Sequence, residues 1–214
     1  MDKVKIVIPA RKGSKGLPFK NRKLLKYTLG KIPEDFLLNT IVSTNDEEIK
    51  KEVNKKCIVH NRSEKKSQDK TSTLSAMKEI VSDLSLQNEE TIIMLYLTYP
   101  ERNFEDIQEI YSYFVNNRLK SLLCKKEIKT NPYLCMYDLG NGKGKQVIEH
   151  DLYRRQEYPK IFEICHYVCI FKISELEKLN NNMYNSETYF YKIDDKIDVD
   201  YEIDLERFLN DEKN

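Results

Sequence analysis

A loop rich in cations and small residues, RKGSKGLPFKN, occupies positions 11–21, directly after the apolar run VKIVI. Arg11, Lys15 and Lys20 supply positive charge at intervals, and the glycines let the backbone approach a ligand closely. Exposed backbone N–H groups and several point charges are the groups that hold a polyphosphate. The loop therefore predicts a phosphate site, with a solvated basic turn as the alternative. It is not a P-loop, because no Gly-Lys-Ser/Thr follows Gly13 at the required spacing.

Two aspartates separated by one residue, Asp198 and Asp200, lie in an acidic stretch late in the chain. On an extended segment both carboxylates point to the same side, and such an oxygen-rich pair suits Mg²⁺. Further acids crowd this stretch, and acids also favour a helix N-terminus. The residues alone leave metal binding and a helix start equally open.

The elements that must position these residues alternate between strands and helices. Apolar runs predict buried strands at 4–10, 39–44, 91–97, 121–124, 166–173 and 189–193. Apolar stripes and charge order predict helices at 45–56, 72–86, 103–117 and 173–182, and a closing helix within 198–209. This alternation predicts an α/β fold, a Rossmann-like, mostly parallel sheet with helices on both faces. Ligands of such sheets bind beyond the carboxyl ends of the strands, where the 11–21 loop falls.

Residues 125–162 break this alternation and show no clear helical stripe. Within them LGNGKGKQ, at 139–146, predicts a Gly/Asn turn between two extended pieces. We therefore expect one domain over residues 1–214, with a small β-rich, hairpin-containing excursion at 125–162. The segment SEKKSQDK, at 63–70, is predicted to be a charged loop.

Composition narrows the function classes. A chain of 214 residues is ample for one α/β domain with a real core. Lys+Arg 36 against Asp+Glu 35 gives a net charge of +1, which argues against a nucleic-acid surface but allows a local basic pocket. The five scattered cysteines form no CxxC pair, which favours buried thiols in a reduced compartment. No apolar run approaches transmembrane length, so we predict a soluble, cytoplasmic protein without membrane or nucleic-acid partners.

The loop closely resembles the N-terminal signature of the cytidylyltransferases that activate acylneuraminate and related 3-deoxy-2-ulosonic acids as CMP-sugars. That family carries R-x-G-S-K-G-x-P-x-K-N after its first strand. Other segments resemble further family motifs in the same order: VSTNDEEI (42–49), NRSEKKSQDKTST (61–73), YLTYPERNFEDI (96–107), NPY (131–133), RRQEYPKIFE (154–163) and IDVDYEIDLE (197–206). The resemblance spans nearly the whole chain.

The resemblance implies an enzyme that joins CMP from CTP to an acidic sugar of the nonulosonate type and releases pyrophosphate. It implies a nucleotide site formed by Arg11, Gly13, Ser14, Lys15, Lys20, Asn21, Arg62, Thr71 and Ser72. Catalysis would rest on Arg11, Lys20 and Asp200, and Mg²⁺ would be held by Asp198 and Asp200. It also implies a homodimer in which the excursion lends residues to the partner's acceptor site.

The predicted acceptor site comprises Tyr96, Thr98, Tyr133, Arg154, Arg155, Gln156 and His166. An arginine fork suits an acceptor carboxylate, with a surface charge pair as the alternative. The chain departs from the family pattern at Tyr96, Tyr99 and Cys165–His166, which the resemblance places on the acceptor side. Tyr96 could contact an unusual acceptor or fill space, and His166 could face a ligand or be a satisfied strand histidine.

These departures keep two further functions open. One is cytidylyl transfer from CTP to a phosphorylated or phosphonate small molecule. The other is a catalytically silent nucleotide-binding homologue that has kept the fold. Pyrophosphate release across a panel of acceptors separates the three functions.

Overall fold

The computed structural model describes residues 3–53, 56–68 and 71–212. Its strands span Val4–Pro9 (β1), Thr40–Thr44 (β2), Ile58–Asn61 (β3), Thr91–Met94 (β4), Ser121–Glu127 (β5), Met136–Gly140 (β6), Lys143–Gln146 (β7), Phe162–Lys172 (β8) and Tyr189–Lys192 (β9). Its α-helices span Lys20–Gly30 (α1), Glu34–Leu37 (α2), Glu47–Val53 (α3), Thr73–Asp83 (α4), Phe104–Asn116 (α5) and Glu202–Asp211 (α6). None of these described helices is long and apolar enough to span a membrane.

Over the described residues, seven strands form one sheet in the order β3-β2-β1-β4-β8-β5-β9. The strands β1, β2, β3 and β4 run parallel, and β9 runs parallel to β5. The strand β8 lies between β4 and β5 and is antiparallel to both. The predicted α/β fold with a mostly parallel sheet is confirmed, with one antiparallel strand inside it.

Each face of this sheet carries its own apolar core, because successive strand residues point to opposite faces. One core joins Ile6 and Ile8 of β1 to α1, α3, α5 and α6. The other joins Val7 of β1 to Met77 of α4. Helices therefore cover both faces, as the sequence predicts.

The predicted strands and most predicted helices are confirmed with shifted ends. The helix predicted at 45–56 is α3, and residues 54 and 55 lie outside the described part of the chain. The short helix predicted at 173–182 is a 3-10 helix over Ile173–Lys178, so it ends four residues earlier than predicted. The helix does not continue to residue 182, because the side chain of Asn180 accepts hydrogen bonds from the backbone N–H groups of Asn182 and Tyr184. Local bonds of this kind compete with helix formation.

Other elements were not predicted from the sequence. The helix α1 buries only Leu24, Leu25 and Thr28, so its apolar stripe is narrow and lysines dominate the pattern. The helix α2 and the strand β3 are each four residues long, too short to show a period. The charged segment 63–70 contains a 3-10 helix over Glu64–Ser67, and its residues 69 and 70 lie outside the described ranges.

The hairpin predicted at 139–146 is confirmed, because β6 and β7 pair antiparallel in a sheet of their own. Asn141 and Gly142 form its turn at φ 54° and φ 71°. Asn and Gly enter this left-handed region at the lowest cost, which is why this pair marks such turns. The hairpin lies within residues 125–162, and the ends of that range belong to β5 and β8.

Candidate active site

The 11–21 loop leaves the carboxyl end of β1 and is tied down at several points. The side-chain amide of Asn21 donates to the carbonyl of Arg11 at 2.8 Å, which closes the loop on itself. The backbone N–H of Lys12 donates to the side chain of Asn45 at 2.7 Å, which joins the loop to the segment after β2. Within the loop, the side chain of Leu17 is fully buried and anchors the loop to the core. The loop is therefore a fixed scaffold for its polar groups.

The helix α1 starts directly at the end of this loop. Its N-cap is Phe19, which adopts the left-handed conformation at φ 56°. The first turn of α1 contains no acidic residue. The helix itself therefore supplies no carboxylate to its positive end, and this end adds to the charge of Lys20 in favouring an anion at this place.

A cleft opens beyond the carboxyl ends of β1 and β4, and the loop forms one of its walls. The opposite wall comes from the segment after β3 and the start of α4, and the floor comes from the residues after β4. The lining residues are Pro9, Arg11, Gly13, Ser14, Lys20, Asn21, Arg62, Thr71, Thr73, Tyr96, Leu97 and Thr98. The structure thus brings most of the predicted nucleotide residues together with Tyr96 and Thr98 from the predicted acceptor site.

An adjoining cleft shares the loop with the first one. It is lined by Arg11, Ser14, Lys15, Gly16, Lys20, Asp200 and Tyr201. The ammonium of Lys20 lies 2.6 Å from a carboxylate oxygen of Asp200. A Cβ on Gly16 would overlap the carbonyl oxygen of Asp200, so only glycine permits this close approach. The cationic loop and the aspartate segment are therefore parts of one site.

The wall opposite the loop is ordered by local hydrogen bonds. Arg62 is buried, and its Nε and Nη2 donate to the carbonyl of Lys66 at 2.8 and 2.6 Å. Burial and the nearby charge of Arg11 lower the pKa of Arg62. Ser72 caps α4, because its hydroxyl accepts from the N–H of Ser75 at 3.3 Å. Thr71 and Arg62 thus reach the cleft, whereas the side chain of Ser72 fixes the helix start.

The floor is dominated by Tyr96. Its hydroxyl donates to the hydroxyl of Thr73 at 2.6 Å. Burial raises the pKa of Tyr96 to about 12, so the phenol stays protonated. The ring of Tyr96 meets the ring of His166 edge to face, with centroids 5.4 Å apart. His166 therefore reaches the site through its contact with Tyr96, and its Nε2 lies 3.1 Å from the carbonyl of Asn182.

Asp198 and Asp200 lie on either side of the buried Val199, as expected for an extended segment. A carboxylate oxygen of Asp198 accepts from the hydroxyl of Tyr99 at 2.8 Å. That hydroxyl also accepts from the thiol of Cys165 at 3.5 Å. Burial, with the neighbouring Cys165 and Asp198, raises the pKa of Tyr99, so its hydroxyl remains a donor.

The donor set can be compared with what Mg²⁺ requires. Within the described ranges, no group of three or more His, Cys, Asp or Glu side chains is placed to hold a metal ion. In nucleotide sites, however, Mg²⁺ binds through one or two carboxylates together with substrate phosphates. The exposed carboxylate of Asp200, beside the cationic loop, fits that arrangement. Asp198 is also exposed, but it lines another cavity together with Glu101 and Asp204.

The remaining predicted acceptor residues lie in the excursion and are not among the described residues that line either cleft. Tyr133 packs against His150, with ring centroids 4.9 Å apart. Arg154 lies over the ring of Tyr153 at 5.3 Å and pairs with Glu157 at 3.7 Å. The exposed residues Arg155 and Gln156 form part of a 3-10 turn. Their acceptor roles stay predictions.

Arg102 supports the floor and was not predicted as a site residue. It is 3% exposed, and its Nη2 donates to the carbonyl of Tyr96. Its guanidinium lies over the rings of Tyr99 and Tyr167, at 5.9 and 5.3 Å from their centroids. Burial lowers the pKa of Arg102 to about 10. In the sequence, the feature that could have indicated a role for Arg102 is its position between a buried strand and Asn103, the N-cap of the next helix.

Gly16, Thr73 and Tyr201 also belong to the two clefts without having been predicted as site residues. Gly16 stood in the glycine-rich motif, so its close approach to another segment was open to prediction. Thr73 and Tyr201 are the first helical residue of α4 and the N-cap of α6. In the sequence, only their positions at the starts of predicted helices could have indicated a place in the site.

The comparisons with known proteins agree with this geometry. The chain is 28% identical to the post-translational flagellin modification protein B of Campylobacter coli over 233 aligned positions, which cover 100% of this chain and 97% of that protein. It is 24% identical to the N-acylneuraminate cytidylyltransferase of Streptococcus agalactiae serotype V, with 91% of this chain covered. The alignment covers 49% of that protein, so the chain spans about half of its length.

One solved structure, CMP:2-keto-3-deoxy-manno-octonic acid synthetase complexed with CTP, matches with a TM-score of 0.63 at 14% identity. The match covers 99% of this chain and 100% of that one, and at this identity it shows a shared fold. The profile of the cytidylyltransferase family matches residues 5–214, which include the loop, both clefts and the aspartate segment. The chain therefore belongs to the cytidylyltransferase family of nucleotidyltransferases.

Proposed function

We propose that this protein transfers CMP from CTP to an acidic sugar of the nonulosonate type and releases pyrophosphate. The proposal rests mainly on one observation: the ion pair between Lys20 and Asp200, at 2.6 Å, holds the cationic loop against the aspartate segment. A relative named for N-acylneuraminate cytidylyl transfer supports an acidic sugar as the acceptor. The cleft beyond the strand ends supports a nucleotide as the second substrate.

The loop binds the triphosphate of CTP in this proposal. Arg11, Lys15 and Lys20 neutralise the phosphate oxygens, and the N-terminus of α1 adds its dipole. Lys20 exchanges its bond to Asp200 for a bond to the α-phosphate, where it stabilises the charge that develops as pyrophosphate leaves. Arg11 acts from the same wall, since it lines both clefts.

Asp198 and Asp200 would hold Mg²⁺, which when bound neutralises charge on the phosphates. The role of the remaining residues is to place the acceptor hydroxyl in line with the α-phosphorus. Tyr96, Thr98 and His166 form the part of the site that is available for this, because they lie beside the nucleotide wall.

A homodimer completes the acceptor site in this proposal. The excursion exposes apolar side chains to between 48% and 77% of their area, and these are Leu134, Met136, Tyr137, Leu139 and Tyr153. Packing this surface against a second copy would bury it and bring Arg154, Arg155 and Gln156 to the partner's cleft. Sedimentation of the wild type and of Leu139→Lys tests the dimer, because a charge in the interface is expected to yield monomers. A wild type that sediments as a monomer at micromolar concentration contradicts it.

We also place the protein in the cytoplasm, where CTP is available. All five cysteines are free, and Cys124, Cys165 and Cys169 are buried among apolar side chains. Thiols of this kind suit a reducing compartment.

Pyrophosphate release from CTP and Mg²⁺ tests the function across neuraminic-type acids, a 3-deoxy-octulosonate, and phosphorylated and phosphonate small molecules. We expect release with one acidic sugar and its loss in Asp200→Ala. Asp35→Ala, an exposed aspartate of α2, is the matched control and should retain activity. Release with a phosphorylated or phosphonate acceptor alone would assign the alternative transferase. Binding of CTP without release for any acceptor would assign a silent homologue.

A further inference from the structure

We propose that Asn45 is a positioning residue for the nucleotide site, because its side-chain amide joins the 11–21 loop to the 3-10 helix Glu64–Ser67 in the opposite wall of the cleft. The inference rests on the proposed function, in which the cleft between these two walls binds CTP. Asn45 is not among the described residues that line the clefts, so it acts through the residues that it holds in place.

The 3-10 helix Glu64–Ser67 is the frame on which this part of the site is built. Three successive carbonyls of the helix accept hydrogen bonds from side chains that line the nucleotide cleft. The acceptors, with their donors, are Lys65 (the Thr71 hydroxyl, 3.1 Å), Lys66 (Nε and Nη2 of Arg62, 2.8 and 2.6 Å) and Ser67 (Nη1 of Arg11, 3.4 Å). The last carbonyls of a helix have no partner inside it and take one from elsewhere. The position of this short helix therefore fixes the positions of the side chains bonded to it.

The amide of Asn45 holds this helix from the side of the loop. Its Oδ1 accepts from the backbone N–H of Lys12 at 2.7 Å, and its Nδ2 donates to Oε1 of Glu64 at 3.2 Å. Both neighbours require this orientation of the amide, because a flipped amide would set donor against donor and acceptor against acceptor. An aspartate at this position could accept from Lys12 but could not donate to Glu64. The position therefore needs a side chain that both accepts and donates.

The backbone before Asn45 is bonded to both walls. The carbonyl of Ser43 accepts from the N–H of Ala10 at 2.8 Å, just before the loop, and the carbonyl of Thr44 accepts from the N–H of Arg62 at 3.0 Å. The end of β2 thus lies between the two walls. The side chain of Asn45 continues this pattern beyond the last paired residues of β2. The amide is therefore placed to set the distance between the two walls where the cleft opens.

The test is the affinity of Asn45 variants for CTP, measured by titration calorimetry in the presence of Mg²⁺ and without an acceptor. Asn45→Asp keeps an acceptor for Lys12, loses the donor and faces Glu64 with a second carboxylate. We expect it to raise the Kd for CTP by about 10-fold, the size of effect that loss of a hydrogen bond to a charged group produces. Adding Glu64→Gln should return the Kd to within about 2-fold of the wild type, because the bond then re-forms with its polarity reversed.

A charge-matched control separates this bond from general repulsion of CTP. Asn45→Asp adds one negative charge near a polyphosphate, and Glu64→Gln removes one, so charge alone could produce both effects. Asn45→Asp combined with Glu47→Gln also has the net charge of the wild type, but Glu47 is an exposed residue of α3 that pairs with Lys50. We expect no recovery in this variant. Recovery equal to that given by Glu64→Gln would assign the effect to charge and overturn the proposal.

Asn45→Ala removes both bonds without a change of charge and should also raise the Kd by about 10-fold. Its thermal midpoint should stay within about 2 °C of the wild type, because both bonds lie at the protein surface. A lower midpoint with an unchanged Kd would show a purely structural bond and overturn the proposal. Should Asn45→Ala fail to fold, the Asn45→Asp variants, which keep the bond to Lys12, decide alone.

The wild type separates failure of the inference from failure of the proposed function. If the wild type does not bind CTP, the proposed function is overturned, and the inference with it. If the wild type binds CTP and the Asn45 variants bind it equally well, the positioning role is overturned and the proposed function stands.

Discussion

The ammonium nitrogen of Lys20 lies 2.6 Å from a carboxylate oxygen of Asp200, although 180 positions of sequence separate the two residues. The pair bridges the first turn of α1 and the segment before α6. Lys20 is 14% and Asp200 57% exposed. An ion pair this open to solvent contributes at most about 1 kcal/mol to stability, so a nucleotide can replace it at little cost.

We expect Lys20→Met to lower kcat/KM for CTP by about 100-fold, because one preset donor to the transition state is lost. The fold should persist, since the pair contributes little to stability. Lys23→Met is the matched control: Lys23 also joins α1 to α6, through Glu202 at 3.2 Å, but is not among the described residues that line the clefts. Steady-state kinetics check both variants, and an equal loss in both would contradict a role in phosphate binding.

Gly16→Ala is expected to displace the aspartate segment, because the new methyl group would overlap the carbonyl oxygen of Asp200. A displacement of about 1 Å at a reacting site can cost about 100-fold in rate. Gly30→Ala is the control, since a Cβ there meets no atom within 4 Å. Pyrophosphate release and the thermal midpoint are measured for each. Full activity in Gly16→Ala would show that the two segments move independently.

Acid should destabilise the fold through Asp46. Its carboxylate accepts from Nε and Nη2 of Arg22 at 2.7 and 2.8 Å. Burial acts to raise the pKa of Asp46, but the bonds and charge of Arg22 outweigh it and hold the pKa below its usual value. A carboxyl group whose pKa is lower in the folded state stabilises the protein above its unfolded pKa. That contribution disappears as the pH falls through the folded pKa.

We therefore expect the free energy of unfolding to fall as the pH drops below about 4. Asp46→Asn should be less stable by about 2 kcal/mol at pH 7 and should depend less on acid. Glu47→Gln, which loses only an exposed pair with Lys50, should stay within about 0.5 kcal/mol of the wild type. Urea unfolding between pH 3 and 7 checks this. Parallel pH curves for Asp46→Asn and the wild type would exclude the Arg22–Asp46 pair as the cause.

The contact between Tyr96 and His166 predicts coupled effects on acceptor use. Edge-to-face aromatic pairs contribute about 0.5–1.5 kcal/mol beyond the area that they bury. A double-mutant cycle with Tyr96→Ala and His166→Ala, followed through kcat/KM for the acceptor, should show a coupling energy of about that size. Additive losses would mean that the two side chains act separately, and unchanged acceptor kinetics would place neither in the acceptor site.

The phosphate side of the site was predictable because its residues are contiguous. Arg11 to Asn21 follow a strand whose apolar run is unmistakable, and a parallel sheet places the next loop at a ligand site. The acceptor side was less predictable, because its contacts join distant segments. The Tyr99–Asp198 bond spans 99 positions, and no local pattern relates the two residues.

The helix α1 illustrates a second limit. It starts from Phe19 in a left-handed conformation, which a bulky residue adopts only where the surrounding loop imposes it. The usual signal of a helix start, a capping side chain, is absent at this residue. Tertiary contacts between the loop and its neighbours, which no single segment encodes, therefore determine where this helix begins.

The position of β8 has a consequence for synthesis of the chain. The strand Phe162–Lys172 lies between β4 and β5, although it follows both in sequence. While a ribosome extends the chain, one edge of β4 and both edges of β5 therefore stay unpaired until β8 has emerged, and the outer edge of β5 stays unpaired until β9 follows. Unpaired edges recruit strands from other molecules, and distant pairings form slowly. Nascent or truncated chains that end before residue 162 should therefore aggregate. Completion of β8 should remove most of this tendency, and pairing of β9 with β5 should cover the last of these edges.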